Sequence, residues 1–179
     1  MTRLVLVRHA MSVPPVPGGP AEHERPLTPQ GEEQAHALVD VLVAAGPDRV
    51  LASPYARAVA TVQPAADRLG LPVQLRPDLR EWHSGLTPTP DWEQPYRHAW
   101  AHPDQALPGG ESLDALAERV AGALRAVAAE GGHCVLLASH GTWIAVALRL
   151  LGQPVDVETW LAMPSPAVHR LPDAAALRV

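Results

Sequence analysis

At 179 residues, with 47% hydrophobic and 18% charged residues, the chain is long and apolar enough to bury a core, which places it among globular rather than disordered proteins. A net charge of −5 argues against broad nucleic-acid binding, which needs a basic face to displace counterions, and no run of about 18 apolar residues supplies a membrane span. The single cysteine, Cys134, excludes an intramolecular disulfide and fits a reducing cytoplasm, and the opening residues run too directly into a strand to act as a signal peptide.

The apolar run Leu4-Val5-Leu6-Val7 predicts a buried strand over residues 3–7 that ends at Arg8-His9. A Pro- and Gly-rich loop follows over 13–26. Thr28 then reads as an N-cap with Pro29 at the first helical position, and apolar spacing through Ala35, Leu38, Val39, Leu42 and Val43 carries that helix to Gly46. A short strand over 49–52 leads to Ser53-Pro54, read as a second capped, proline-led helix start, with its end at Leu69-Gly70. Residues 73–75 predict a third strand. From Glu81 to Gly110 the periodicity gives way to Pro, Trp and His, with one short helix near 92–100. An amphipathic helix follows over 111–130, with Leu113, Leu116, Val120, Ala123, Leu124 and Val127 on its apolar stripe. A strand over 133–138 delivers Ser139-His140-Gly141, an apolar helix covers 142–151, and residues 168–171 and 176–179 read as a hairpin-like edge.

Strands alternating with helices predict an α/β fold, a three-layer α/β/α sandwich with a mostly parallel central sheet and a small cap excursion. No repeat or linker divides it, so residues 1–179 are expected to form one domain with the excursion at about 82–109. In open α/β sheets the ligand crevice lies beyond the carboxyl ends of the strands. Two strands bring His9 with Arg8, and His140, to that edge, a combination suited to anion chemistry.

Six segments occur in an order that resembles one family: Arg8-His9-Ala10; Leu27-Thr28-Pro29-Gln30-Gly31; Ser53-Pro54-Tyr55-Ala56-Arg57-Ala58 with Thr61; Leu79-Arg80-Glu81; Pro108-Gly109-Gly110-Glu111-Ser112; and Ser139-His140-Gly141. Together they make the chain similar to the histidine phosphatase superfamily, the phosphoglycerate-mutase-like group. The resemblance implies that His9 is the nucleophile. An imidazole nitrogen takes up a phosphoryl group and later gives it to water, splitting one displacement into two. It implies that Arg8 and Arg57 clamp phosphate oxygens with their paired, permanently charged donors, and that His140 holds the phosphate from the opposite side. Gly141 would permit close backbone approach, the Thr142 amide would open a helix as an anion site, and Ser12 is a further candidate phosphate contact. Glu81 resembles the family's proton donor to the leaving oxygen; a phosphate dianion nearby favours the neutral form of a carboxyl group.

Five features depart from the pattern or extend it. Ala10 replaces the usual glycine, Pro15 stands where many relatives carry asparagine, and Glu81 is followed by Trp82-His83-Ser84-Gly85 rather than Trp-Glu-Gly. Trp82, Trp92 and Trp100, with Tyr96, form either a small aromatic core within the cap or an apolar wall facing substrate. His98 and His102 have metal-ligand spacing but no evident third ligand, so neither a metal nor another cofactor is expected.

The implied activity is a metal-independent phosphomonoester hydrolase acting on a small phosphorylated metabolite through a phosphohistidine. Three alternatives stay open: a protein phosphohistidine phosphatase, suggested by Glu24-Arg25-Pro26-Leu27-Thr28; a phosphoglycerate mutase, disfavoured by the short cap; and a non-catalytic binder of phosphorylated ligands. Cytoplasmic location, a small-molecule partner, no membrane or nucleic acid, and pairing as a homodimer complete these expectations.

Overall fold

Five strands and seven helices, described over residues 2–86 and 91–171 in a computed structural model, follow the alternation read from the sequence. In chain order they are β1 (Arg3–Arg8), α1 (Pro29–Ala37), α2 (Val39–Ala44), β2 (Arg49–Ala52), α3 (Ala56–Leu69), β3 (Val73–Leu75), α4 (Glu93–Ala101), α5 (Leu113–Glu130), β4 (Cys134–Ser139), α6 (Gly141–Leu150), α7 (Val157–Leu161) and β5 (Ala167–Leu171). The sheet order is β3-β2-β4-β1-β5, parallel except for β5, which runs antiparallel to β1 at the edge. β4 lies at the centre with all six residues buried, which is why it reads as an unbroken apolar run.

Period-two alternation divides the strand side chains between two cores. Leu4, Leu6, Leu51, Val135 and Leu137 pack with Leu116 and Leu124 of α5 and Ile144 of α6. Val5, Val7, Val50, Leu136 and Ala138 pack on the other face with Leu42 of α2 and Val62, Ala65 and Ala66 of α3. The fold is therefore the three-layer α/β/α sandwich with a mostly parallel sheet. No helix among the described residues is long and apolar enough to cross a membrane.

Local structure departs from the sequence reading where long-range contacts intervene. The helix expected from 28 to 46 is interrupted at Leu38, the C-cap of α1, whose N–H donates to the Gln34 carbonyl at 3.1 Å. Beyond it come Val39, Val41 and Val43, which are stiff at χ1 and weak helix formers. Ser53 does not cap α3. That helix begins at Ala56 behind Tyr55, with no side-chain cap. α5 starts two residues later than expected, because Ser112 is the cap and its hydroxyl accepts from the Ala115 N–H. β5 pairs with β1 from Leu4↔Leu171 to Arg8↔Ala167, so this edge is a long-range pairing; residues 176–179 lie outside the described residues.

The Leu27–Gly31 segment has a mechanical role. The Thr28 hydroxyl accepts from the Gly31 N–H, closing the first turn of α1, and the Thr28 N–H donates to the Met11 carbonyl at 3.0 Å. The Gln34 side chain accepts from the Met11 N–H, so α1 grips the loop just beyond β1 from both sides. Gly31 makes this possible, since a Cβ there would sit 2.0 Å from the Met11 carbonyl oxygen, backbone against backbone. Gly31→Ala should therefore destabilise the protein by about 2 kcal/mol or more. Gly122→Ala, in α5 with open space at the Cβ position, should be neutral or stabilising by about 0.5–1 kcal/mol. Chemical denaturation of the two variants side by side checks the contrast, and equal stabilities would refute the grip.

Candidate active site

β1, β2 and β4 end side by side, and each passes directly into a polar residue. Arg8 is in register with Ser139, and Ala52 with Ala138. The ladder continues one residue further: the His9 N–H donates to the Ser139 carbonyl at 3.1 Å, and the Ser53 N–H to the Ala138 carbonyl at 2.9 Å. His9, Ser53 and His140 are thereby collected at one point of the carboxyl edge. The two imidazoles meet edge to face with centroids 5.3 Å apart.

The His9 ring is oriented by its own backbone. Nδ1 lies 2.7 Å from the Ala10 carbonyl oxygen, which can only accept, so Nδ1 carries the proton. Nε2 is then an acceptor and meets the Arg57 Nε–H at 3.1 Å. Burial first, and the Arg57 charge second, push the His9 pKa down from 6.5 to about 3. Ala10 is fixed in turn, because its N–H donates to the Thr61 hydroxyl and that hydroxyl donates to the Arg57 carbonyl. The departure from glycine at position 10 is absorbed by packing: the Ala10 methyl is buried in a small cluster with Leu27 and Ala35, and no positive φ is required.

His140 is completely buried, with Nε2 2.8 Å from the Ser53 hydroxyl. Burial, followed by the Arg57 charge, pushes its pKa well below the ordinary histidine value. Tyr55 closes over both groups, its ring 5.0 Å from the His140 ring and 5.1 Å from the Arg57 guanidinium carbon. Arg8 donates to the Met163 carbonyl and lies flat against Gly141, where a Cβ would come within 3.2 Å of its guanidinium carbon. The close approach permitted by Gly141 is thus made by the Arg8 side chain.

Glu81 occupies the start of α6. Its carboxylate accepts from the backbone N–H groups of Trp82 (2.8 Å), Trp143 (3.2 Å) and Thr142 (3.3 Å). The Thr142 amide, expected to meet phosphate, is therefore engaged by Glu81. Arg119 holds the backbone leading to that carboxylate, donating to the carbonyls of Asp78, Arg80 and Glu81 while paired with Glu111 at 2.7 Å. The sequence reading missed Arg119, although a charge beside the apolar stripe of α5, three residues after Leu116 and four before Ala123, is a signal that could have found it. Glu111 also accepts from the His83 N–H, which accounts physically for the Gly-Glu-Ser segment.

Ser12 lies further out, paired across to Leu27 and accepting from Arg25 at 3.3 Å. Arg25 and Glu22 are further site neighbours that the sequence reading missed; the loop that carries them has no periodicity to place them. Glu22 pairs with Arg57, and Arg25 joins the cluster through Glu22.

The cap tryptophans pack chiefly on one another and on the C-terminal part of the fold. Trp82 is buried, donates to the Glu111 carbonyl and meets Tyr96 edge to face. Tyr96 stacks on Trp160 at 4.8 Å, Trp92 abuts both, and Trp100 lies beside Trp160 with Arg149 over its ring. Burial first, and the Glu81 charge second, push the Tyr96 phenol up to about 12. His98 and His102 lie with ring centroids 4.5 Å apart, and no third His, Cys, Asp or Glu joins them among the described residues.

The chain is similar to known proteins. The family model of the histidine phosphatase superfamily (branch 1) matches residues 4–171. The chain is 32% identical over 171 residues to the adenosylcobalamin/alpha-ribazole phosphatase of Escherichia coli K12, covering 86% of this chain and 81% of that protein. It is 30% identical over 186 residues to the probable phosphoglycerate mutase GpmB of Yersinia enterocolitica, covering 96% and 85%. Among solved structures, a mycobacterial glucosyl-3-phosphoglycerate phosphatase superposes with a TM-score of 0.71 at 29% identity, over 91% of this chain and 84% of that one. With a histidine pair, two arginines and a glutamate gathered at the sheet edge, and a family match spanning nearly its whole length, the chain belongs to branch 1 of the histidine phosphatase superfamily.

Proposed function

We propose that the protein is a metal-independent phosphomonoesterase that hydrolyses a small phosphorylated metabolite through a phosphohistidine at His9. The observation that carries this reading is the His9 tautomer: Nδ1–H is tied to the Ala10 carbonyl, and the Nε2 lone pair is presented beside a buried guanidinium. In the first half-reaction Nε2 attacks phosphorus as the ester oxygen departs with a proton from Glu81. In the second, water gives a proton to Glu81 and attacks phosphorus, the P–N bond breaks, and neutral His9 and inorganic phosphate result. Arg8, Arg57 and His140 stabilise charge on the transferring group, and Ser12 lines its approach. Gly141 and Thr142 act indirectly, the first by admitting Arg8 and the second by holding Glu81.

The similarity to a glucosyl-3-phosphoglycerate phosphatase and an adenosylcobalamin/alpha-ribazole phosphatase supports a metabolite rather than a phosphoprotein as substrate. In this reading residues 1–179 act as one domain with the 82–109 excursion as its cap. A cytoplasmic setting, no nucleic-acid partner and a homodimer come with it, the last to be tested by sedimentation.

The test is hydrolysis of p-nitrophenyl phosphate by the purified protein with and without EDTA. Turnover indifferent to the chelator is expected, and its absence on this and a panel of sugar and nucleoside phosphates would refute the assignment. Glu81→Gln should lower kcat/KM about 10²-fold or more on alkyl phosphates but by less than about tenfold on p-nitrophenyl phosphate, whose leaving group needs no proton. Equal losses on both would remove Glu81 from the proton-donor role.

A further inference from the structure

Arg57 is 1% exposed, and every nitrogen of its guanidinium is engaged. Nε faces His9 Nε2 at 3.1 Å, Nη2 donates to Glu22 Oε1 at 2.7 Å, and Nη1 donates to the Glu22 backbone carbonyl at 2.6 Å. Nε and Nη2 form the side-on edge of a guanidinium, the pair of parallel donors that grips a carboxylate or phosphate bidentately. One donor of that edge is turned to the nucleophile. A phosphoryl group attacked by His9 Nε2 must lie along the same edge, and the second donor there is already held by a carboxylate.

That carboxylate is shared. Arg25, itself buried, grips Glu22 with its own side-on edge, Nε to Oε2 at 2.9 Å and Nη2 to Oε1 at 2.8 Å. Two guanidinium charges thus converge on a single negative charge, leaving the seat one unit short of neutral; a phosphate dianion would balance it. Partial burial raises the Glu22 pKa, but the Arg25 hydrogen bonds and the two arginine charges outweigh this and hold it below the ordinary carboxylate value. The Glu22 side chain is 49% exposed, and its backbone carbonyl has a separate bond to Arg57. The carboxylate has a way out to solvent while the backbone stays anchored.

We propose that the cleft between Arg57 and Arg25 is an anion seat that Glu22 fills in the free protein and that the substrate's phosphate takes by displacing this carboxylate. Arg25 is thereby a third arginine of the substrate site, and Glu22 is a tethered competitor that sets how much anion is needed to open it. The proposal rests on the phosphatase reading only in naming the substrate as the source of the anion.

Calorimetric titration with inorganic phosphate tests the seat without requiring turnover. Glu22→Gln and the shorter Glu22→Asp should each bind phosphate roughly five- to tenfold more tightly than wild type, with KM for p-nitrophenyl phosphate falling in parallel. Arg25→Gln should weaken phosphate binding roughly tenfold even in the Glu22→Gln background, where an arginine that merely holds Glu22 would have nothing left to do. Circular dichroism and a thermal melt confirm folding, and Glu22→Asp carries the test if Glu22→Gln is unstable. Unchanged or weaker phosphate binding in both Glu22 variants overturns the proposal, as does a silent Arg25→Gln in the double variant. A protein that gains phosphate affinity in this way but hydrolyses no ester keeps the seat and refutes the phosphatase reading; one that hydrolyses esters with affinities indifferent to Glu22 does the reverse.

Discussion

His9→Ala is expected to lose at least ~10³-fold in kcat on p-nitrophenyl phosphate, because the variant has no atom on which to build the covalent intermediate. The fold should survive, since β1 ends before His9 and the Ala10 N–H to Thr61 bond does not depend on the imidazole. Rapid quenching of the wild type under alkaline conditions should trap a phosphorylated enzyme that the variant does not form. The pH profile adds a second readout. Burial and the Arg57 charge push His9 to about 3, so it is already unprotonated throughout the range from pH 4 upward. Its deprotonation therefore contributes no rise in kcat/KM between pH 5 and 7. A rising limb in that interval must follow the second ionisation of the substrate, shifting as the phosphate ester is changed. A limb fixed near 6.5 for every substrate, or a His9→Ala variant retaining more than a tenth of wild-type turnover, would sink the nucleophile assignment.

Arg57→Lys is the second large effect. Lysine keeps the charge but presents one compact ammonium where arginine meets three separate partners: the His9 ring, the Glu22 carbonyl and the Glu22 carboxylate. It cannot lie along the transferring group while also holding the loop. The expected loss in kcat/KM is ~10²–10³-fold, the range seen when a preorganised donor is removed from an oxyanion site. Because Arg57 is buried, replacement also disturbs Glu22 and Arg25, so phosphate affinity should fall together with kcat. Steady-state kinetics combined with phosphate titration separate the two contributions. Wild-type kinetics in this variant would mean that charge alone suffices and that the fork is incidental.

How far the site could be read in advance depended on the range of the interactions involved. His9 and His140 were legible because each closes an apolar run, and burial of β1 and β4 on both faces writes that run into the sequence. Ser53 misled: a serine before a proline has the local grammar of a cap, yet its hydroxyl is used 87 residues away on His140. The Thr142 amide was expected to face phosphate because helix starts attract anions; the anion it meets belongs to the chain, Glu81, which arrives from a segment with no periodicity. Glu22 and Arg25 escaped for the same reason, lying in an aperiodic loop that is held by contacts across it and by Arg57. The tryptophans of the excursion were identifiable as a cluster, but its organising partner, Trp160, lies 60 residues beyond Trp100 and no local pattern joins them.

The gap between the two imidazoles has an unusual origin. Their centroids are 5.3 Å apart, close to the ~4.8 Å between neighbouring strands, because each ring is the next residue along one of two adjacent parallel strands. The strand spacing therefore sets the distance between the two rings, and no described side chain of the 82–109 excursion takes part in it. Substitutions at the described residues of the 82–109 excursion are therefore expected to leave the distance between the two rings unchanged.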